Sequence, residues 1–481
     1  MDDGGINRAD DPGQSLKPLA YRIRKAVAFH EVKDSCALLL KFPLKVMMLN
    51  PVWRPVFKLL STGRFVSFER IVSLVHHADP EKMEMFLDGL IRKGYLEREG
   101  FLEVRDYPTV SVIIPVRNRP CDIKACLQSL MELDYPPEKR EIIVVDDAST
   151  DDTPVVVSTF PVRSIFLKEH KQASFCRNLG AKRATGDLVA FIDSDCLSDP
   201  LWLKELTPLF KDPSVGAVGG MVDAYFNKKG LDRYEKTHSS LNMGPRYRRS
   251  SEKDRFFYTP SCNLLVRRDL FLDLGGFKDD LVVGEDVDFC WRMQDAGHHV
   301  EYRPIGRVRH KHRNRVGAFC LRRFDYGTSE PMLQKLHPDR SKEMVFPAGE
   351  SLFWYAMLLC VLLKSFLLLG LGGLVVSADV LNRFAGMNNK GVPIGLHQVV
   401  LAVLRSYATF FFSLSAFVSR YHLIWGFFCI PLLPFVSQVI LSLHLLTGSV
   451  NYFIKKPSLN PVLYFYYFSL EQLSYQSGVW W

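Results

Sequence analysis

The sequence contains ten cysteines but no C-x-x-C pair and no spacing that suits zinc, which speaks against a zinc ribbon, a dithiol redox centre and a secreted disulfide framework. A reducing cytosol fits that pattern. Residues 1–20 are polar and acidic and lack the charged and apolar stretches of a signal peptide, so the N-terminus is expected to stay in the cytosol. There is also no concentrated basic stripe. Lysine and arginine exceed aspartate and glutamate by 61 to 52, but the surplus is scattered or lies near hydrophobic segments. That disfavours nucleic acid as a partner and favours a membrane surface or an anionic substrate.

With 481 residues, the chain has room for two or three domains. From 109 onward, apolar β-type runs (109–116, 141–145, 163–167, 188–193) alternate with helical patterns (121–133, 172–184), as a doubly wound α/β sheet requires. The run Leu188-Val-Ala-Phe-Ile stops abruptly at Asp193-Ser-Asp195, and 141–145 stops at Asp146-Asp147. Acids at the carboxyl ends of two such strands lie where open parallel sheets bind ligands. One pair suits a base and ribose; the other suits Mg²⁺ or Mn²⁺ carrying a phosphate-containing substrate. The plainer reading of Asp193 and Asp195 is an acidic turn capping a helix over 200–210. Glu285 and Asp286 stand at the start of a helix over 287–296, a place that suits either a cap or a general base.

Five segments in order carry a resemblance: Ser111-Val-Ile-Ile-Pro-Val-Arg-Asn-Arg, Val144-Val-Asp-Asp-Ala-Ser, Cys176-Arg-Asn-Leu-Gly180, Phe191-Ile-Asp-Ser-Asp195 and Gly284-Glu-Asp-Val-Asp288. Over about 110–325 the chain resembles the family 2 glycosyltransferases with the GT-A fold. The resemblance implies that Pro115, Arg117 and Asp147 line a nucleotide-sugar pocket, and that Arg177 and Asn178, with Asp193, lie near the ribose and diphosphate. It further implies that Asp195 holds the metal and that Asp286 is the base of an inverting transfer. Glu285 would then contact the acceptor, with Trp291 and Tyr258 as aromatic surface for a sugar. Many such relatives place a metal-ligating histidine near Arg307-Val-Arg-His310-Lys-His312; His310 is preferred because it follows the alternating segment directly, and an anion-binding basic loop is the rival reading. Residues 221–244 are expected on the acceptor side. The Gln-x-x-Arg-Trp box of processive synthases is missing, the region reading Leu321-Arg-Arg-Phe-Asp-Tyr-Gly, which disfavours long-chain polymerisation.

Four regions are expected: a disordered tail (1–20), a winged-helix unit (21–105), the catalytic domain (106–345) and a hydrophobic, membrane-associated helical region (346–481). In 21–105 the order strand, strand, Leu49-Asn-Pro, helix, Gly63-Arg, helix, helix, Lys93-Gly-Tyr-Leu-Glu resembles PqqD-like peptide-recognition domains. There the runs 26–29 and 37–42 are expected to offer a sheet edge to a precursor peptide, against a helix over 80–93. Apolar segments at 351–376, 399–419 and 423–446 approach or reach spanning length, although Lys364, Arg405, Pro431 and Pro434 interrupt them. Every catalytic candidate lies before 350, so the tail is expected to be dispensable for chemistry. The domain order resembles the glycosyltransferases of mycofactocin-type systems, implying transfer of a hexose, glucose from UDP-glucose, to a redox cofactor derived from a ribosomal peptide at the cytoplasmic face of the cell membrane. A surface-glycan or glycolipid transferase and an inactive peptide-binding scaffold are the competing readings.

Overall fold

The computed structural model describes residues 18–32, 34–41, 43–75, 79–100, 106–251, 256–340, 344–389 and 391–481. Of the tail expected over 1–20, residues 1–17 lie outside the described residues, as do the end of the apolar run at Phe42 and the outer arm of the wing at 101–104; the expectation is corrected at Leu19 and Ala20, which are buried, Ala20 opening the strand Ala20–Ile23. The chain divides into two compact units, Met1–Arg105 with Phe346–Ala408, and Asp106–Val345 with Thr409–Trp481. The region 346–481, expected to be one piece, is therefore shared between the units. The division falls within the helix Leu396–Tyr421.

The second unit is built on an eight-stranded sheet in the order Arg248–Arg249, His299–Tyr302, Val215–Gly219, Asn263–Arg267, Leu188–Ile192, Val110–Val116, Arg140–Asp146, Arg163–Phe166. Its last four strands are parallel, as the alternating pattern predicts. Asn263–Arg267 departs from it, running antiparallel to both neighbours, so the sheet is mixed. Alternation along Val110–Val116 sends Val112 and Ile114 to one apolar layer with Leu127 and Trp202, and Ile113 to the other with Phe191, Phe271 and Phe289. Both faces are covered, which is why these strands read as unbroken apolar runs. The helix expected over 200–210 is a short helix, Trp202–Leu206, continued as a 3₁₀ turn, Thr207–Lys211.

A small second sheet joins Cys196–Ser198, Val308–His310 and Val222–Ala224, in that order through the middle strand. Its register pairs Cys196 with His310. Helices Val316–Leu336 and Pro461–Trp480 cross at Gly327 and Gly478. A Cβ on Gly327 would collide with the Tyr475 carbonyl and stand 2.9 Å from the Gly478 Cα, so only glycine permits this approach.

In the first unit, Val27–Val32, Ser35–Leu40 and Lys45–Leu49 form one antiparallel sheet, and Val66–Ser67, Ala20–Ile23 and Leu96–Glu99 form another. Three helices accompany them, Arg54–Leu60, Phe68–Val72 and Pro80–Arg92. The expected edge at 37–42 is corrected: Ser35–Leu40 is the central strand, paired on both sides, and the free edges belong to Val27–Val32 and Lys45–Leu49. The expected segment 351–376 is also two helices, Ala348–Leu363 and Phe366–Asn388, because Lys364 turns into the left-handed region at φ 51°. Phe366–Asn388 and Leu396–Tyr421 are long and apolar enough to cross a membrane, with mean hydropathy 1.5 and 1.6. In the second unit, 423–446 breaks between Leu423–Phe428 and Pro434–Lys455, where Pro431 removes a donor.

Candidate active site

Strand ends build the floor of a cavity of about 710 Å³ in the second unit, lined among others by Pro115, Arg117, Asp147, Arg177, Asp193, Asp195, Glu285, Asp286 and His310. Asp147 directly follows the strand Arg140–Asp146, and its carboxylate accepts from the backbone N–H groups of Lys171 at 2.6 Å and Gln172 at 3.0 Å, with His170 Nδ1 at 2.6 Å. These bonds tie the start of the helix Gln172–Arg183 to the end of the strand Arg140–Asp146.

Asp193 and Asp195 follow Leu188–Ile192, and the turn between them sends each to a different partner. Asp193 accepts from Arg177 Nη2 at 2.5 Å, while Arg177 Nη1 donates to Glu285 at 3.1 Å. Arg177 is 3% exposed, a buried cation rather than a surface one. Burial works against its charge, but Asp193 and Glu285 outweigh that and raise its pKa. Asp195 is bonded by Arg119, with His310 Nε2 at 3.5 Å from one oxygen and Arg313 at 3.6 Å from the other. Burial opposes ionisation of Asp195, yet His310, Arg119 and Arg313 hold its carboxyl below the usual range.

Ligand atoms of Asp195, Cys196 and His310 lie within 4.8 Å of one another. Cys196 is fully buried, and burial pushes its thiol well up, which unsuits it to a hard cation. The remaining carboxylate oxygen and imidazole nitrogen suit Mn²⁺, or Mg²⁺ completed by phosphates and water. His312 instead faces Asp232 at 3.9 Å, and burial lowers its pKa to about 4.

Gly284, at φ 88°, turns the chain into the helix Glu285–Asp295, whose Glu285 and Asp286 line the cavity. Asp286 accepts from the Ser261 N–H at 3.2 Å and the Val287 N–H at 2.8 Å. Burial first, and the neighbouring Glu285 charge second, push its carboxyl up to about 7. A base of that pKa matches neutral operating conditions. Trp291 and Tyr258 both line the cavity.

Asn178 is not part of the lining, contrary to expectation. Its amide donates to the Phe277 carbonyl at 2.7 Å and to Asp279 at 2.9 Å and accepts from the Phe277 N–H at 2.8 Å, so it clamps the 277–279 loop. Of 221–244, Glu235 and 239–241 reach the lining; Lys228 and Lys229 sit at the start of the helix Gly230–His238 instead. The tail is not outside the site either. Arg322, Tyr326 and Glu330 on Val316–Leu336, with Arg420, Glu471 and Tyr475 downstream, form a wall of the cavity. Tyr421 donates to Glu330 at 2.8 Å, Tyr475 bonds the same carboxylate, and Tyr234 donates to Glu471 at 2.6 Å. Arg119 was also not singled out, although it sits two residues after Arg117 in a quoted motif.

Residues 111–275 match the family described as Glycosyl transferase family 2, and the chain thus contains a family 2 glycosyltransferase domain. The "Pre-mycofactocin glycosyltransferase" of Mycobacterium tuberculosis is 34% identical over 254 residues, covering 52% of each chain. "Glycosyltransferase AglE" of Haloferax volcanii is 33% identical over 202 residues, 40% of this chain and 64% of that one. The match thus spans about half to just under two thirds of the length of these relatives. A solved structure, "Mannosyltransferase PcManGT from Pyrobaculum calidifontis in complex with GDP-Man and Mn2+", aligns with TM-score 0.39 and 21% identity over 63% of this chain and 88% of that chain.

Proposed function

We propose that this protein is an inverting, metal-dependent hexosyltransferase of GT-A type, acting on an acceptor derived from a ribosomal peptide in a mycofactocin-type pathway, with UDP-glucose as the leading donor. The observation that carries this reading is the convergence of Asp147, the Arg177–Asp193 pair, Asp195 with His310, and a carboxyl at about 7 on Asp286 around one cavity. Asp147, Pro115 and Arg117 would hold the nucleoside; Asp193 is oriented by Arg177, which also fixes Glu285 beside the base. Asp286 takes the proton of the acceptor hydroxyl as that oxygen attacks the anomeric carbon from the side opposite the diphosphate; the bond to the diphosphate breaks and configuration inverts. Mg²⁺ or Mn²⁺ at Asp195 and His310 would neutralise charge on the departing diphosphate.

The name of the mycobacterial relative supports the pathway, and a PqqD-like role for 21–105 would bring the peptide precursor to the enzyme. The helices Phe366–Asn388 and Leu396–Tyr421 support attachment to the membrane, with the catalytic unit at its cytoplasmic face where nucleotide sugars reside. The same apolar helices favour a second reading, a transferase for a surface glycan or glycolipid. The test is purified protein in detergent with a panel of nucleotide sugars and Mn²⁺ or Mg²⁺, followed by peptide-derived and lipid acceptors. Absence of metal-dependent donor hydrolysis across the panel would leave only the inactive-scaffold reading.

A further inference from the structure

We propose that Arg119 is the counter-charge that keeps Asp195 closed to a divalent cation until a diphosphate arrives, and that it then binds that diphosphate. The proposal rests on the reading of Asp195 as a metal ligand. Arg119 lies just after the strand Val110–Val116 and before the helix Pro120–Met131. Its backbone is pinned: its N–H donates to Thr153 Oγ1 at 2.9 Å, and the preceding Asn118, at φ 50°, is held by Ser149 and by the Thr150 N–H. The guanidinium is the part left to move. Its side chain is 29% exposed and reaches into the cavity to the Asp195 carboxylate.

Two guanidinium groups converge on the single carboxylate of Asp195. Arg119 and Arg313 approach the same oxygen of a single carboxylate, and His310 stands at the other. Asp193 is bonded to Arg177, which also holds Glu285, and Asp122 is paired with the neighbouring cation Lys311 at 2.8 Å. The Asp195 carboxylate thus carries two guanidinium groups on one oxygen, more positive charge than it can neutralise alone. A cation seeking Asp195 must displace Arg119 and sit beside Arg313, two repulsive costs that a lone ion meets without compensation. A diphosphate reverses both, since its oxygens accept guanidinium forks as a carboxylate does and carry more charge. Metal and diphosphate then bind with positive coupling, which by linkage is the same in either direction.

The test is Mn²⁺ binding, followed by electron paramagnetic resonance on the full-length protein without any phosphate, and inorganic pyrophosphate binding, followed by calorimetry in metal-free buffer. In Arg119→Gln, Mn²⁺ should bind about tenfold more tightly and pyrophosphate about tenfold more weakly, within the usual range of coupling. A damaged fold would weaken both, so the opposite signs separate this role from a structural one. Mn²⁺ affinity unchanged or reduced in Arg119→Gln overturns the proposal while leaving the metal site intact, provided Asp195→Asn abolishes binding. Mn²⁺ binding that survives Asp195→Asn, or that is absent from every variant, overturns the metal reading and this proposal with it.

Discussion

Replacing Asp286 by asparagine should make the protein more stable and inactive at the same time, with the stability gain growing as pH rises. Burial and Glu285 raise the folded-state carboxyl from 3.8 to about 7. A group raised in this way is neutral in both states below about pH 4. Between 3.8 and about 7 the unfolded chain ionises while the folded site resists, so wild-type stability falls as pH rises through that window. Asparagine does not titrate. The span of about three pH units, at 1.36 kcal/mol each, sets an upper bound of about 4 kcal/mol on the advantage of Asp286→Asn at pH 8. Solvent in the cavity will reduce it; about half would move a unit of this size by roughly 3 °C. Thermal melts of wild type and Asp286→Asn at pH 4.5 and pH 8 should show a small midpoint advantage for the variant at the lower pH and a clearly larger one at pH 8. Donor binding should persist and transfer fall by roughly 10²- to 10⁴-fold. A midpoint difference that is the same at both pH values, or a wild type that is the more stable at pH 8, would refute the burial-driven shift.

Three other outcomes are expected. In Glu285→Gln, loss of the neighbouring charge should shift the acid limb of the kcat/KM profile downward from near pH 7 by about one pH unit; a limb that stays in place contradicts that electrostatic origin. Gly327→Ala should cost about 1–3 kcal/mol by forcing apart the helices Val316–Leu336 and Pro461–Trp480; an unchanged melting midpoint would show that they separate freely. Deleting 1–105 should raise the acceptor KM and leave donor hydrolysis nearly intact, since the candidate site lies wholly in the other unit; equal loss of both would count against peptide recruitment.

The parts of the site legible in sequence were those made by strand ends. Asp147, Asp193 and Asp195 follow apolar runs too long to end in acids by accident, and the Gly284 turn advertises the helix that carries Asp286. Asn178 misled because its neighbours Cys176 and Arg177 belong to the same motif, whereas its amide is consumed by the 277–279 loop, a partner about a hundred residues away. The downstream wall was hidden by composition: Glu471 and Tyr475 sit in a helix rich in aromatics, and Arg420 ends one of the apolar helices that suggest a membrane. Hydropathy averages such isolated polar groups away. Lys364 was visible as an imperfection in 351–376, but its left-handed conformation is a property of the fold.

The downstream wall also has a kinetic consequence. The Tyr234–Glu471 and Tyr475–Glu330 bonds join residues 237 and 145 positions apart. Closing the shorter of these loops costs about 4 kcal/mol in chain entropy before any contact compensates it. The parallel pairings of the sheet, by contrast, span shorter separations, from Ile143 with Arg163 to Val215 with His299. The wall should therefore be the last part of the unit to assemble and the first to open under mild denaturant, as a local unfolding event ahead of the sheet. Activity would vanish while most of the secondary structure remained, and returning to native buffer would restore it at the pace of helix docking alone.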